Sequence, residues 1–565
     1  MKPWQLGNTS VRSATRLRDG LIELAKSGRE GLLRGHEGDA AWREILGEAD
    51  IVQLGNDETN SVGRKWRAAM CRLGLIYDDV GQKIQNKIGK IDFITPAGHR
   101  LIKAESGPAQ QECYLRALAG IWIDVVSVRH KVPGDFSPLR HVLRVLSALK
   151  LKTTSSEIYA IEFALFVQTT DHRTPVKKIV SDILAFREAR SRSLNKKSFE
   201  DSAVIVEARY GGEVSASTYR DYMDMNIRYL KSTGLFHAIG RGFSLVPIQS
   251  VLIDGLIKQL SPPKTIFDYW NQLTNGSILP TDNKENAEKA LSFVQMEATR
   301  RGIAVKRFSQ PGAEVADISR ARHDIEEKLA LNNEMEFYRA QREKWQDIAD
   351  FLDLLTRKRI IPGSSVSIPS SERPAYFEWT LWRAFLAINN LKNLPNKARR
   401  FPVDQDMRPL GHAPGGGPDL IFEFDNYVLV VEVTLTTSIR QYATEGSPVQ
   451  DHVHQVQISH PKKPVYCLFI APELAPSTVE AFKARKFYHR DGRGEVPVEL
   501  SIVPTKIEQF RELFLAMFRS GKATPEIVLG VLKKALDEAG KCDSPSKWER
   551  AIDLALKQQV SELLS

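Results

Sequence analysis

Cysteine is scarce in this sequence: there are four in 565 residues, at positions 71, 113, 467 and 542, and no CxxC pair. That argues against a disulfide scaffold and against a cysteine-based zinc site, and points to a reducing compartment. Long apolar runs are missing as well. The greasiest strand-like stretch, residues 427–433, is far too short to span a bilayer. Residues 1–20 contain no apolar segment of signal-peptide length. The expectation is a soluble, cytoplasmic protein. Extremes of composition are also absent: 42% hydrophobic and 26% charged residues are ordinary globular values, which excludes a fibre or a disordered tail. Nor is there an acidic excess. Lys+Arg number 79 against 69 Asp+Glu, a formal charge of +10, and such a balance attracts nucleic acid, anionic lipid or acidic protein. At about 100–200 residues per domain, the length requires several domains.

The placement of the positive charge narrows the partner. Residues 60–103 carry nine Lys/Arg against Asp78, Asp79 and Asp92, and a second basic knot, FREARSRSLNKKS, occupies residues 186–198. Residues 62–75 read as a helix, with Val62, Trp66, Ala69, Met70 and Leu73 at helical spacing and Gly74 past its end. Arg64, Lys65, Arg67 and Arg72 mark its other face. A short LIY run follows, then an expected strand through Ile91, Phe93 and Thr95 before a closing helix, an order that resembles a winged helix. The order recurs: residues 219–230 read as a helix, LKSTGLF repeats the helix–Gly–strand junction, and Gly240-Arg241-Gly242 followed by FSLVPI reads as a wing turn and return strand. Winged helices also serve protein interaction, but two on one basic chain favour double-stranded DNA. Arg228, Lys231 and Arg241 join the candidate DNA contacts. Residues 137–149 and 155–166 read as packed helices between the two units.

The expected organisation is a mainly helical N-terminal region followed by an α/β domain. Residues 1–135 and 136–282 form two DNA-recognition domains, 283–373 a helical linker ending in the Pro/Ser-rich segment 362–374, and 374–565 the α/β domain. Chemistry concentrates in the last. After an amphipathic helix, residues 377–391, comes HAPGGGPDLIFEFDNYVLVVEVTL (residues 412–435). Three glycines and Pro418 force a turn, Asp419 heads a strand, and Asp425-Asn426 turns into a second strand. Glu432 lies inside that apolar second strand, where a charge is costly unless a cation or hydrogen bonds offset it. A hairpin would set Asp419 beside Glu432, a hard-oxygen pair for Mg²⁺. Pro418-Asp419, a twelve-residue gap and Glu432-Val433-Thr434 match a PD-(D/E)xK nuclease core, with Thr434 where lysine is usual. In EGSPVQDHVHQV, Glu445 opens a turn, and His452 is a candidate to position or deprotonate the attacking water in place of that lysine. A zinc site from His412, His452 and His454 is a third, poorly spaced possibility.

FEWTLW, GGGPDLIFEF, VVEVTLT, EGSPVQDHV and YCLFIAPEL, in this order behind the tandem winged-helix-like region, resemble the AlwI family of type IIS restriction endonucleases, which includes strand-specific nicking enzymes. The resemblance is strongest over residues 376–474. It implies that Asp419, Glu432 and the Val433 carbonyl bind the metal, and that Glu378 is a further acidic residue acting through water. It also implies that Glu445 and His452 complete the site, and that an ExT sequence is the family's habit. The implied activity is that of a type II site-specific deoxyribonuclease of a prokaryotic cell, with separate recognition and cleavage domains, cutting a few base pairs outside a short asymmetric site. One active site cuts one strand, so a second nuclease subunit is expected, either a copy of this chain or a small heterologous partner. The alternatives are a nicking endonuclease or large subunit, and a catalytically inactive DNA-binding protein.

Overall fold

The structure is a computed structural model. It describes residues 3–49, 51–52, 59–124, 134–209, 214–239, 241–259, 261–306, 308, 312–357, 366, 368, 372–437, 441–490 and 495–565. Most of the Pro/Ser-rich segment 362–374 and Gly240 of the expected wing turn lie outside the described residues. The chain forms two compact units, Met1–Ala330 with Asp404–Asp406, and Leu331–Val403 with Met407–Ser565. Among the described residues no helix is long and apolar enough to cross a membrane.

In the first unit, helix α1 (Ser61–Arg72) buries Trp66, Ala69 and Met70, the face that the spacing marks as apolar. It stops at Gly74, whose φ of 67° lies in the left-handed region. A Cβ there would approach the Leu273 carbonyl oxygen to 2.5 Å, so only glycine fits both the turn and the close approach. The expected strand pair beyond α1 forms only in part. Leu75 and Tyr77 exchange backbone hydrogen bonds with Thr95, Phe93 and Asp92, yet regular pairing is confined to the bridge Ile76↔Ile94. A short helix, Gln82–Ile88, occupies the intervening chain, flanked by Gly81 and Gly89 at positive φ. The closing helix α2 (Pro96–Lys103) is present. Thr95 caps it by accepting from the Gly98 N–H, with proline in the first turn.

The second expected unit is more regular. Helix α3 (Pro138–Thr153) leads to strand β1 (Ile158–Tyr159). Helix α4 (Ala216–Lys231) is capped by Ser215, which accepts from the Thr218 N–H. The hairpin β2 (Phe236–Ile239) and β3 (Gly242–Leu245) follows it directly. The sheet order is β1-β3-β2, antiparallel throughout, with Ile158 opposite Phe243 and Phe236 opposite Leu245. Tyr219, Met225, Tyr229 and Leu230 of α4 are buried. Asn226 is buried with them, accepting from the Leu6 N–H and donating to the Trp4 carbonyl, both at 2.9 Å.

The stretch expected as a connector is divided between the units. Their boundary falls inside helix α5 (Val315–Gln341), and Ile348, Phe351, Leu352 and Leu355 belong to the core of the second unit. That core is built on helix α6 (Arg373–Ile388), buried from Ala375 onwards, and on a four-stranded sheet. Strands β4 (Leu420–Glu423) and β5 (Val428–Val433) are antiparallel, while β6 (Val465–Ala471) is parallel to β5. Strands β7 (Lys486–Arg490) and β8 (Glu495–Glu499) form a separate ribbon. Strand β9 (Ile502–Lys506) is parallel to β6 and completes the order β4-β5-β6-β9. Helix α7 (Ser447–Ser459) connects β5 to β6, and α8 (Ile507–Arg519), α9 (Pro525–Lys541) and α10 (Pro545–Leu564) end the chain. A sheet covered on both faces needs strands apolar on both faces. Val428–Val431 and most of β6 satisfy this, and Glu432 breaks the pattern.

Candidate active site

The hairpin register brings the two acids together. Leu420 pairs with Val431, so Asp419, one residue before β4, falls opposite Glu432. The Val433 N–H donates to Asp419 Oδ2 at 2.9 Å, and the Asp419 N–H donates to Glu432 Oε2 at 3.4 Å. Each carboxylate is thus fixed by the other strand's backbone. The environment still opposes their ionisation. Burial first, and the charge of Glu432 second, push the Asp419 carboxyl well above its usual range. Glu432, only 5% exposed, is pushed up to about 8. Burial is the main cause there and the charge of Glu445 adds to it, against the Asp419 N–H and the positive charge of Arg400. Two adjacent carboxyls that resist ionisation are a site for a cation or a proton.

The other wall of the site comes from the connection between β5 and β6. Residues Tyr442–Gly446 form a π-helical turn that runs into α7, an arrangement that re-aims side chains within a helix. The Thr434 hydroxyl donates to Glu445 Oε1 at 2.8 Å. His452, on α7, places Nδ1 2.9 Å from Glu432 Oε1. Burial, the largest influence, lowers the pKa of this imidazole, so it is neutral near pH 7 and able to accept a proton. Asp419, Glu432 and His452 are therefore linked through hydrogen bonds, with Val433 supplying an N–H, while Glu445 is tied to Thr434, the residue directly after β5. Glu378 is placed differently. It is buried on α6 and accepts the Ala413 N–H at 2.6 Å, which anchors the start of the glycine loop that leads to Asp419.

The histidine trio is not gathered. His452 turns to Glu432, while His454 packs against Phe487 with ring centroids 5.6 Å apart. Among the described residues no group of three or more His, Cys, Asp or Glu side chains is arranged to hold a metal ion. Two residues escape sequence reasoning. The sequence marks Thr434 only as the occupant of a lysine position, whereas its hydroxyl tethers Glu445. Arg400 reaches the glycine loop, donating to the Gly415 carbonyl at 3.2 Å and the Pro418 carbonyl at 3.4 Å; no spacing rule connects it to Asp419.

The basic candidates divide by their partners. Arg64 and Arg241 are exposed and Lys65 is half-buried. Arg67, expected to face a ligand, is instead paired with the fully buried Asp92 at 2.6 Å and lies 3.8 Å from Asp78. Arg72 donates to the Gly7 carbonyl at 2.6 Å, and burial lowers it to about 10. Lys231 sits between Asp404 and Asp406, and Arg228 pairs with Asp224 at 3.0 Å. These four are committed within the protein because the chain folds acids and carbonyls against them, which the helical spacing alone does not reveal.

A family model described as AlwI restriction endonuclease matches residues 71–513. Among solved structures, the small subunit (R.BspD6I2) of the heterodimeric restriction endonuclease R.BspD6I is 21% identical over 38% of this chain and 98% of its own, with a TM-score of 0.29. Restriction endonuclease FokI is 11% identical over 94% of this chain and 99% of its own, with a TM-score of 0.24. No curated protein matches the chain.

Proposed function

Because the chain belongs to the AlwI restriction endonuclease family and is accordingly a DNA-binding nuclease, we propose that it binds a short asymmetric DNA sequence and hydrolyses phosphodiester bonds a few base pairs outside it, dependent on Mg²⁺. The observation that carries the reading is the cross-strand pair Asp419 and Glu432, with His452 bonded to Glu432 and Glu445 held by the neighbouring Thr434. Magnesium is held by one or two carboxylates together with waters and substrate oxygens, seldom by an all-protein cage. Asp419, Glu432 and the Val433 carbonyl fit that donor set, and the two resisting carboxyls are what a divalent cation would relieve. When bound, the ion supplies charge neutralisation at the phosphate and at the departing oxygen.

The protein's own groups do the rest. Neutral His452, oriented through Nδ1 by Glu432, keeps Nε2 to take a proton from the attacking water. Glu445, held by Thr434, orients that water. Attack on phosphorus opposite the 3′ oxygen forms the new P–O bond and breaks the P–O3′ bond, leaving a 5′-phosphate; the departing 3′ oxygen takes a proton from solvent to become a hydroxyl, and His452 returns its proton to solvent. Glu378 holds the glycine loop so that Asp419 stays in register. Recognition is assigned to the N-terminal unit, where α4 and the β2–β3 hairpin form the winged-helix-like reader and α1 a second basic helix. Arg64, Lys65 and Arg241 are the cations free to meet phosphates. One such site cuts one strand, so double-strand cleavage needs a second nuclease subunit.

Asp419→Ala tests the reading. The variant is expected to lose at least 10³-fold in cleavage rate while holding its specific DNA site with unchanged affinity, because binding energy comes from the basic N-terminal unit. Cleavage at the full rate with Mg²⁺ would show that the assignment is wrong.

A further inference from the structure

We propose that Arg400 is the phosphate-binding cation of this site, gripping a non-bridging oxygen of the scissile phosphodiester. The inference rests on the reading of Asp419 and Glu432 as the cleavage centre. That centre lacks the strand lysine of a PD-(D/E)xK core. Thr434 stands in its place, carries no charge, and directs its hydroxyl to Glu445. The charge that the lysine would bring to the phosphate is therefore missing from the strand, and another cation of the protein can supply it.

Arg400 meets the requirement. Its guanidinium donates to the carbonyl of Pro418, the residue directly before Asp419, at 3.4 Å, which places it next to the cluster. Even so, among the described residues no carboxylate pairs with it; its partners are the neutral carbonyls of Gly415 and Pro418. Those carbonyls lie in the loop that delivers Asp419, and the loop is shaped around the guanidinium. A Cβ on Gly417 would fall 2.7 Å from Arg400 Nη1. The side chain is neither buried nor fully exposed, so solvent and substrate can reach it. Two of its five N–H donors serve the loop, which leaves the others for an anion. A planar guanidinium fork matches phosphate oxygens better than an ammonium does. The position is that of an anchored, unneutralised cation beside an acidic site.

A purely structural role for Arg400 would be to brace the glycine loop, and the tests separate the two. Arg400→Gln keeps N–H donors for the loop carbonyls but removes the charge, and Arg400→Lys keeps a charge without the fork. Full-length variants are compared with wild type by single-turnover cleavage of a specific duplex with Mg²⁺, with DNA binding and thermal unfolding measured alongside. The expected result for Arg400→Gln is a 10²–10³-fold loss of rate, the scale of removing one donor from a developing anion. Its affinity for DNA and its melting temperature stay at the wild-type values, and Arg400→Lys recovers part of the rate. Wild-type cleavage by Arg400→Gln, or by Arg400→Met should the glutamine variant not fold, overturns the assignment. So does a loss of rate matched by an equal fall in stability. If the wild-type chain itself leaves the duplex intact, the failure belongs to the underlying nuclease reading and Arg400 falls with it.

Discussion

Replacing Glu432 by glutamine should make the metal-free protein more stable at alkaline pH while destroying its activity. The Glu432 carboxyl is raised from an ordinary 4.5 to about 8 in the folded protein, chiefly by burial. Between those values the folded state holds a proton that the unfolded chain has released. The contribution of this carboxyl to stability is therefore greatest below about pH 4.5, falls as pH climbs toward 8, and levels off beyond. At pH 8 the accumulated cost is ~4 kcal/mol, since each pH unit crossed between the two values costs about 1.4 kcal/mol. Glutamine removes that cost but weakens the hydrogen bonds to His452 and the Asp419 N–H, a loss of about 1–3 kcal/mol. The net expectation at pH 8 is stabilisation by about 1–3 kcal/mol, or several degrees in melting temperature. At pH 5 the ionisation cost is below ~1 kcal/mol, so the variant is no more stable than wild type there. Scanning calorimetry of both proteins in EDTA at pH 5 and pH 8 reads the crossover. Adding Mg²⁺ at pH 8 should raise the melting temperature of wild type and leave the variant unmoved. A variant less stable by the same amount at both pH values would refute the account of Glu432 as an acid kept for a cation.

Three further outcomes follow from the same geometry. Thr434→Ala releases Glu445 and should lower the cleavage rate about 10–100-fold, the usual effect of losing a group that orients an active residue; Thr434→Ser should restore it, and equal rates for both variants would dismiss the tether. Binding of specific DNA should weaken by roughly 0.9 log units per phosphate contact for each tenfold rise in salt. Arg64→Ala and Arg241→Ala should each reduce that slope by about one, and a flat salt response would remove DNA binding from these surfaces. Arg67→Ala should act differently, because it strips a partner from the buried Asp92. The expected cost is about 3 kcal/mol of stability, tempered by Arg34, which also pairs with Asp92, and the salt slope of the folded variant should not change.

How much of this is legible in the sequence depends on how local each feature is. The β4–β5 hairpin follows from period-two alternation and the Asp425-Asn426 turn, and once its register is set Asp419 must meet Glu432. Helix α4 and the hairpin after it are legible for the same reason, since caps, Gly234 and strand residues are contiguous. Features set by distant chain are not. Strand β1 is two residues long and becomes a strand only because β3 offers it an edge. The pairing of residues 75–77 with 92–95 shrinks to one bridge because a short helix takes the residues between them. Helical spacing gives α1 a basic face, but Asp92 and the Gly7 carbonyl, remote in sequence, neutralise Arg67 and satisfy Arg72. Arg400 is invisible for a similar reason: its place beside Asp419 is made by a loop closing over it, and neither periodicity nor motif spacing encodes such a contact.

The central claim is that Asp419 and Glu432 form a phosphodiester-cleaving centre directed by the N-terminal unit. Incubating the full chain with supercoiled plasmid and Mg²⁺, then sequencing the product ends, tests it most directly. The account predicts open-circular or linear DNA whose cut positions lie at one fixed offset from a single short asymmetric sequence, with neither product formed by Asp419→Ala. Intact plasmid with wild type, cuts without a common sequence, or full-rate cutting by Asp419→Ala would contradict it.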